Sequence, residues 1–270
     1  MAVFYQPKDI QKALELKAEL KERGAFLAGG TDIVVLMNHG KTAPENFIDL
    51  THIAELRAIH RHNGTLELAG NVTYAQIGKL PIRCLSQASL SVGGPGIREL
   101  GTIAGNLATA SPAGDGSTAL LALDAEVELT SVRGTRRLPL EKFFLGYRKT
   151  ALAPDEMITK IFIPTNYQTD WAKNGKRGAM NISIVAVAVA ITPKKEVRIA
   201  LASVAATPIR CYQAENLLGK SGLTTETIRQ AVQSVRSEIK PITDHRASAD
   251  YKVHVSGVMV RRLLENLVKA

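Results

Sequence analysis

Glycines cluster between Tyr74 and Ala125, at positions 93, 94, 96, 101, 105, 114 and 116. This density predicts a series of tight backbone turns rather than a regular helix or sheet, because glycine destabilises the interior of both. A further pair, Gly29-Gly30, follows a short apolar run earlier in the chain. Because a glycine lets other groups approach the backbone closely, these positions predict a ligand that contacts main chain.

The chain is long enough for one large domain or for two to three small ones. It has 270 residues, of which 45% are hydrophobic and 22% charged, as in packed globular proteins. The longest apolar run, Ile182–Ile191, is far shorter than the ~18–20 residues that span a bilayer. The first residues, MAVFYQPKDI, lack the basic and apolar regions of a secretory signal. A soluble, cytoplasmic protein is therefore expected.

Apolar spacing predicts an α+β body that precedes a smaller C-terminal domain of strands and then helices. In the body we expect a helix from Ile10 to Gly24, capped by Asp9, and a hairpin around Asn63-Gly64. Further body elements are strands at 25–27, 47–50 and 126–131 and a short helix at 118–123. The C-terminal part is predicted as a polar linker at 165–178, an antiparallel pair at 182–192 and 197–204, and helices at 225–240 and 251–266.

The residues that could bind a metal are few and far apart. The only cysteines, Cys84 and Cys211, form no CxxC pair, so they cannot supply the ligands of an iron–sulfur or structural zinc site. The 6 histidines form no HExxH motif. We therefore expect no metal on this chain.

The net charge of +9 does not indicate a nucleic-acid-binding protein. Basic residues are scattered along the sequence, and aromatic residues make up only 5%. The excess positive charge could keep the chain soluble, attract an anionic cofactor or complement an acidic partner.

Two common nucleotide motifs are absent. No GxGxxG follows a predicted strand, which excludes the usual dinucleotide fingerprint. Gly219-Lys220-Ser221 resembles the end of a phosphate-binding loop, but Ala214 replaces its first glycine. We interpret Gly219 as the C-cap of a helix.

The first glycine loop, Leu27-Ala28-Gly29-Gly30-Thr31-Asp32-Ile33, has a composition that can bind an anion. Consecutive glycines after a strand let backbone N–H groups converge on one oxygen, and the Thr31 hydroxyl could donate to the same group. The alternative is an ordinary turn from a strand into a helix. The loop alone does not decide between them.

The second glycine loop, residues 101–109, favours the ligand. It contains Gly101-Thr102-Ile103-Ala104-Gly105-Asn106 and Thr109, and Asp115 follows. Hydroxyl and amide side chains beside glycines suit a pyrophosphate or a ribityl chain, and a carboxylate can accept hydrogen bonds from ligand hydroxyls. Two such loops imply an extended ligand such as a dinucleotide. The alternative is a structural turn rich in glycine.

The chain resembles the FAD-binding subunit of molybdenum hydroxylases, the group that includes xanthine, carbon monoxide and nicotinate dehydrogenases. The resemblance covers nearly the whole sequence, in the family's order. It is carried by LAGGTD at 27–32, GIRELGTIAGNLATASPAGD at 96–115, ALLALDAEVEL at 119–129, FFLGYRKT at 143–150, DEMITKIFIP at 155–164, KNGKRGAMNISIV at 173–185, ASVAATPIRCYQAENLLG at 202–219 and YKVHVSGVMVRRLLE at 251–265.

The resemblance implies a fold of the vanillyl-alcohol-oxidase (PCMH) type, with two α/β subdomains around an extended FAD and a C-terminal α/β domain. The implied domains are residues 1–166, with subdomains of about 1–52 and 53–166, and residues 167–270. The implied FAD-binding residues are Leu27, Ala28, Gly29, Gly30, Thr31, Asp32, Ile33, Thr102, Ile103, Ala104, Gly105, Asn106, Thr109, Asp115, Ile158 and Lys173. Ala104 replaces a glycine of the family's TIGGN, which is tolerable if an L-residue fits the backbone there.

By this resemblance Lys173 is a basic residue near the flavin ring, where a cation would stabilise the reduced anion. The alternative is a solvated lysine in a linker. The implied function is electron transfer from iron–sulfur centres to FAD and then to NAD or another acceptor, with no catalytic residue on this chain. Molybdenum and iron–sulfur subunits would be its partners, as a dimer of heterotrimers. A stand-alone FAD reductase and a non-catalytic assembly protein are the alternatives.

Overall fold

The computed structural model describes residues 2–269. The chain begins with a parallel three-stranded sheet of order β1-β3-β2 and its two connecting helices. These elements are β1 (Val3–Tyr5), α1 (Ile10–Leu20), β2 (Gly24–Leu27), α2 (Ile33–Asn38) and β3 (Asn46–Asp49). As predicted, Asp9 caps α1, accepting from the Lys12 amide at 2.7 Å.

An antiparallel five-stranded sheet of order β4-β5-β10-β6-β7 forms the centre of the body. Its strands are β4 (Ile59–His62), β5 (Thr65–Ala69), β6 (Glu126–Ser131), β7 (Gly134–Pro139) and β10 (Met157–Pro164). The predicted hairpin is confirmed, since β4 and β5 pair across Asn63 and Gly64, whose φ angles are 48° and 75°.

Short helices fill the glycine-rich segment, so the prediction that it would form no regular helix is wrong. They are α3 (Tyr74–Ile77), α4 (Arg83–Leu90), α5 (Pro95–Leu100), α6 (Ile103–Thr109) and α7 (Asp115–Ala122). The glycines are compatible with helices because several of them lie at helix ends. Gly94 and Gly101 flank α5, and Gly114 is the N-cap of α7.

A small two-stranded hairpin, β8 (Phe144–Gly146) and β9 (Lys149–Thr150), lies between β7 and β10 in the sequence. The pairing contains a register shift between Phe144 and Gly146, as in a β-bulge. Arg148, in the turn, has a φ of 52°.

The C-terminal domain is a four-stranded antiparallel sheet of order β11-β12-β13-β14 covered by helices. Its elements are β11 (Gln168–Asn174), β12 (Val185–Ile191), β13 (Val197–Ala202), β14 (Ile209–Arg210), α8 (Tyr212–Ser221), α9 (Thr225–Glu238) and α10 (Ala249–Lys269). The predicted pair of strands and the last two helices are confirmed. The α+β pattern predicted from apolar spacing is confirmed with them.

The linker predicted over residues 165–178 is wrong, because β11 occupies half of it and pairs with β12 over its whole length. The polar side chains of β11 have partners from distant parts of the chain. Asp170 is buried and accepts from Arg83 Nε at 3.0 Å and from Asn266 Nδ2 at 3.2 Å. A polar sequence can therefore form a packed strand here.

The C-cap assigned to Gly219 is also wrong. Helix α8 continues through Gly219 to Ser221, and Gly222 is the capping residue. Gly222 has a φ of 73°, a conformation that glycine adopts without strain.

The three larger sheets each pack on a hydrophobic core, and the body and the C-terminal domain share one interface. Ala188, Ala190 and Ala200 from the C-terminal sheet are fully buried in the core of the body. Their small side chains let the sheet lie directly on α7. Within residues 2–269 no helix is long and apolar enough to cross a membrane. The domain boundaries given above stay a prediction.

Candidate functional site

A cavity of about 710 Å³ has residues of the three-stranded and the five-stranded sheet of the body in its wall. This volume is within the range of small-molecule and cofactor sites. Both glycine loops line it, as do residues 156–158 at the start of β10. The structure thus brings together two loops that are about seventy residues apart in the sequence.

The first glycine loop lines the cavity and contains backbone hydrogen-bond donors without a partner. Within residues 2–269, the backbone N–H groups of residues 29–33 have no hydrogen-bond acceptor in the protein. Gly30 has a φ of 71°, and a side chain at Gly29 would lie 1.7 Å from the carbonyl oxygen of Leu100. The glycines therefore give the loop its shape and its close contact with the second loop. Adjacent free amides of this kind form an anion-binding nest.

The second glycine loop is helical from Ile103 onward, and its first amides are already bonded within the protein. Ile103 N donates to Val72 O at 3.0 Å and Ala104 N to Gly70 O at 3.2 Å. Gly105 N donates to the Thr102 hydroxyl, which caps the helix. This loop can thus offer side chains to a ligand, but not these amides. Ala104 has an ordinary helical backbone, so the replaced glycine is tolerated here.

Side chains connect the two loops and leave one acceptor free. The Thr109 hydroxyl lies 3.1 Å from Asp32 Oδ2 and 3.0 Å from the Gly105 carbonyl oxygen. Asn106 Oδ1 is buried in the described structure without a partner, and Asn106 lines the cavity. Since a buried acceptor without a partner is costly, it indicates a ligand or water that donates to Asn106.

Apolar side chains form much of the remaining wall, as expected for a ligand with flat rings. Ile158 is among them, as the resemblance implies. The apolar lining residues include Phe26, Ile33, Val92, Ile97, Leu152, Met157, Ile158 and Ile182.

Four of the sequence-predicted residues do not line the cavity. Leu27 ends β2 before the loop turns, and Ile103 is fully buried in the core. Asp115 and Lys173 form a buried ion pair, with Lys173 Nζ 2.7 Å from Asp115 Oδ2. Lys173 is therefore not a solvated lysine in a linker, and it does not line the cavity where a flavin could contact it directly.

The Lys173–Asp115 pair is hydrogen-bonded to the segment that follows α4 and to the segment that precedes β12. Lys173 Nζ also donates to the carbonyl oxygens of Ser91 and Asn181, and the Ser183 hydroxyl donates to Asp115 Oδ1 at 2.5 Å. Burial raises the pKa of Asp115, and the nearby Lys173 charge partly opposes the increase. The carbonyls that Lys173 binds each precede a residue of the cavity wall, Val92 and Ile182.

Sequence reasoning missed several residues of the cavity wall, notably Asn71, Tyr74, Arg148 and Glu156. Tyr74 is 1% exposed, its hydroxyl has no partner within residues 2–269, and burial raises its pKa well above 10. No local pattern marks Tyr74 or Asn71. Arg148 and Glu156 lie in segments that carry the family resemblance, which could have identified them.

Two family models together match most of the chain. The model described as the FAD binding domain in molybdopterin dehydrogenase matches residues 1–166. The model described as the CO dehydrogenase flavoprotein C-terminal domain matches residues 172–267.

Individual proteins resemble the chain over its whole length. The nicotinate dehydrogenase FAD-subunit of Eubacterium barkeri is 33% identical over 98% of this chain and 95% of its own. A putative xanthine dehydrogenase FAD-binding subunit of Escherichia coli (strain K12) is 29% identical over 100% of this chain and 97% of its own. A crystal structure of the Cu,Mo-CO dehydrogenase superposes with a TM-score of 0.92 at 28% identity, covering 100% and 98% of the two chains. The predicted fold class is thereby confirmed.

Proposed function

The chain belongs to the family of FAD-binding subunits of molybdenum hydroxylases, and we propose that it carries electrons from an iron–sulfur partner subunit through FAD to NAD or another acceptor. As a family member it is an oxidoreductase subunit with FAD as its cofactor. The main observation behind the proposal is that residues 29–33 all line the cavity and that their backbone N–H groups have no acceptor within residues 2–269.

The chemistry of the cavity fits FAD. Free amides can neutralise a diphosphate, the Asn106 oxygen can accept from a ligand donor, and the apolar wall can cover flat rings. Bound FAD supplies the redox chemistry, because its ring accepts electrons singly and passes them on in pairs. Residues 2–269 contain no cluster of side chains that could hold a metal ion.

We propose that the first glycine loop holds the diphosphate by its main chain. The side chains of Thr102, Asn106 and Thr109 would contact the ligand from the second loop, and Ile158 would pack against it. Thr31 and Asp32 also line the cavity, and their side chains can bind hydroxyl groups. Because the Asp32 carboxylate is negatively charged, it would repel a phosphate. We therefore assign the phosphate oxygens to the backbone amides of residues 29–33.

Asp115 and Lys173 lie behind the wall, and we propose that they act on the flavin without being its main ligands. Lys173 fixes the carbonyls next to Val92 and Ile182, so it would position two apolar wall residues. Because Asp115 balances its charge, the ammonium would stabilise a reduced ring less than an unpaired lysine would.

The iron–sulfur centres must then belong to another subunit. Cys84 and Cys211 are both buried free thiols, and burial raises the pKa of Cys84 to about 12. Thiols of this kind do not ionise to become cluster ligands. We propose that molybdenum and iron–sulfur subunits assemble with this chain as a dimer of heterotrimers. We also propose a cytoplasmic location, where both thiols would stay reduced.

The test compares the assembled complex with the isolated chain. The chain is expressed with and without its molybdenum and iron–sulfur partners, and flavin absorbance is followed anaerobically after addition of purines, nicotinate or carbon monoxide. We expect the flavin to bleach only in the complex, with one of these substrates. Bleaching of the isolated chain by a substrate would indicate a stand-alone reductase. An isolated chain that binds no flavin would contradict the proposal.

A further inference from the structure

Arg148 is the one lysine, arginine or histidine among the described residues that line the cavity. Resting on the proposed function, we infer that Arg148 recognises the diphosphate of FAD and makes the site selective for a phosphorylated flavin. The glycine loops would hold the ligand by main chain, and Arg148 would supply the positive side chain.

The charges around the cavity support this assignment. Two carboxylates line the wall, Asp32 and Glu156. Glu156 is already paired, since Arg136 donates two hydrogen bonds to it at 2.7 and 2.8 Å. Among residues 2–269, the Asp32 carboxylate has one partner, the Thr109 hydroxyl. Without Arg148 the wall would be acidic, and a diphosphate would be repelled from it.

The guanidinium of Arg148 is available for a ligand. In the part of the chain that the structure describes, no hydrogen bond or ion pair to another residue engages it, and the side chain is exposed. Arg133 and Arg136 are different, because they form paired contacts with Asp155 and Glu156. An arginine fork can donate two parallel hydrogen bonds to phosphate, which makes such contacts strong and specific.

The backbone at Arg148 is a second, independent indication. Its φ of 52° places it in the left-handed region, in the turn of the β8–β9 hairpin. Glycine or asparagine would occupy this position with less strain. Strain that persists at a residue lining a cavity is typical of a functional position. The short turn between β8 and β9 thus places Arg148 in the wall of the cavity.

The test measures the affinity of the full-length chain for FAD and for riboflavin, which lacks phosphate, by flavin fluorescence. Arg148→Gln removes the charge and keeps an L-residue at the strained position. Lys149→Gln is the matched control, because Lys149 is the next residue and does not line the cavity. A charge-assisted contact is lost in the first variant only, so we expect Arg148→Gln to weaken FAD binding by about tenfold or more. Riboflavin binding should be unchanged in both.

Two further measurements separate charge from shape. FAD affinity of the wild type should fall with added salt, and that dependence should be weaker in Arg148→Gln. Arg148→Gly should raise the melting temperature, because it relieves the strained φ, and still weaken FAD binding.

The inference is overturned if Arg148→Gln binds FAD as the wild type does, or if it loses FAD and riboflavin affinity equally. In either case a wild type that binds FAD leaves the proposed function standing. A wild type that binds no flavin would overturn the proposed function itself.

Discussion

Lys173 on β11 and Asp115 at the start of α7 form an ion pair of 2.7 Å across the interface between the C-terminal domain and the FAD-binding body. The side chains are only 10% and 7% exposed. Four further hydrogen bonds satisfy the remaining groups: Lys173 Nζ donates to the carbonyl oxygens of Ser91 and Asn181, and the hydroxyls of Ser91 and Ser183 donate to Asp115. The pair therefore fixes the C-terminal sheet to helix α7 of the body.

Removing one partner should cost more than removing both. Lys173→Met leaves the Asp115 carboxylate buried without its counter-charge, which typically costs about 3–5 kcal/mol. The double variant Lys173→Met/Asp115→Leu should recover part of that loss. Denaturant unfolding of the two single variants and the double variant gives the coupling energy. Strictly additive losses would show that the two groups do not interact.

Gly30→Val should abolish flavin retention and leave most of the fold intact. A branched side chain is strained at a φ of 71° and would distort the loop that lines the cavity. Gly40→Val is the matched control, because Gly40 has a φ of 65°, open space around it and no place in the cavity wall. Both variants are purified and their flavin content is measured. Equal flavin loss in both would mean that general destabilisation, not the loop, is responsible.

Acid should destabilise the folded chain through Glu156. The two hydrogen bonds from Arg136 hold the pKa of Glu156 below its ordinary value of 4.5. A carboxyl with a lowered folded pKa contributes stability above its unfolded pKa, and this contribution disappears as the pH falls through the folded value. The free energy of unfolding should thus decrease below about pH 4.5, and less steeply in Glu156→Gln. Parallel pH profiles for wild type and variant would contradict this role.

The parts of the fold that depend on neighbouring residues in the sequence were predictable. Asn63-Gly64 specifies a tight hairpin, and Asp9 caps α1, by rules that involve only a few adjacent residues. The strand β11 was not predictable in this way, because its buried Asp170 depends on Arg83 and Asn266. The Lys173–Asp115 pair likewise joins residues that are 58 positions apart.

The candidate site was predictable to a similar extent. The composition of the first glycine loop predicted that Gly29 and Gly30 contact a ligand. It could not show that the backbone amides of this loop lack a partner, or that the amides of Ile103 and Ala104 are already hydrogen-bonded within the protein. That difference arises because Val72 and Gly70 approach the second loop from another part of the chain. The role of Arg148 depends on charge balance around the whole cavity, which a linear sequence does not display.

Hydrogen exchange of the backbone amides tests most directly whether main chain at residues 29–33 holds the FAD diphosphate. Exchange is followed by mass spectrometry with no ligand, with riboflavin and with FAD. We expect these amides to exchange rapidly without ligand and to be protected by FAD far more than by riboflavin. Ile103 and Ala104 should be protected in all three states, because their hydrogen bonds are already made. FAD that binds while residues 29–33 stay unprotected would contradict the assignment.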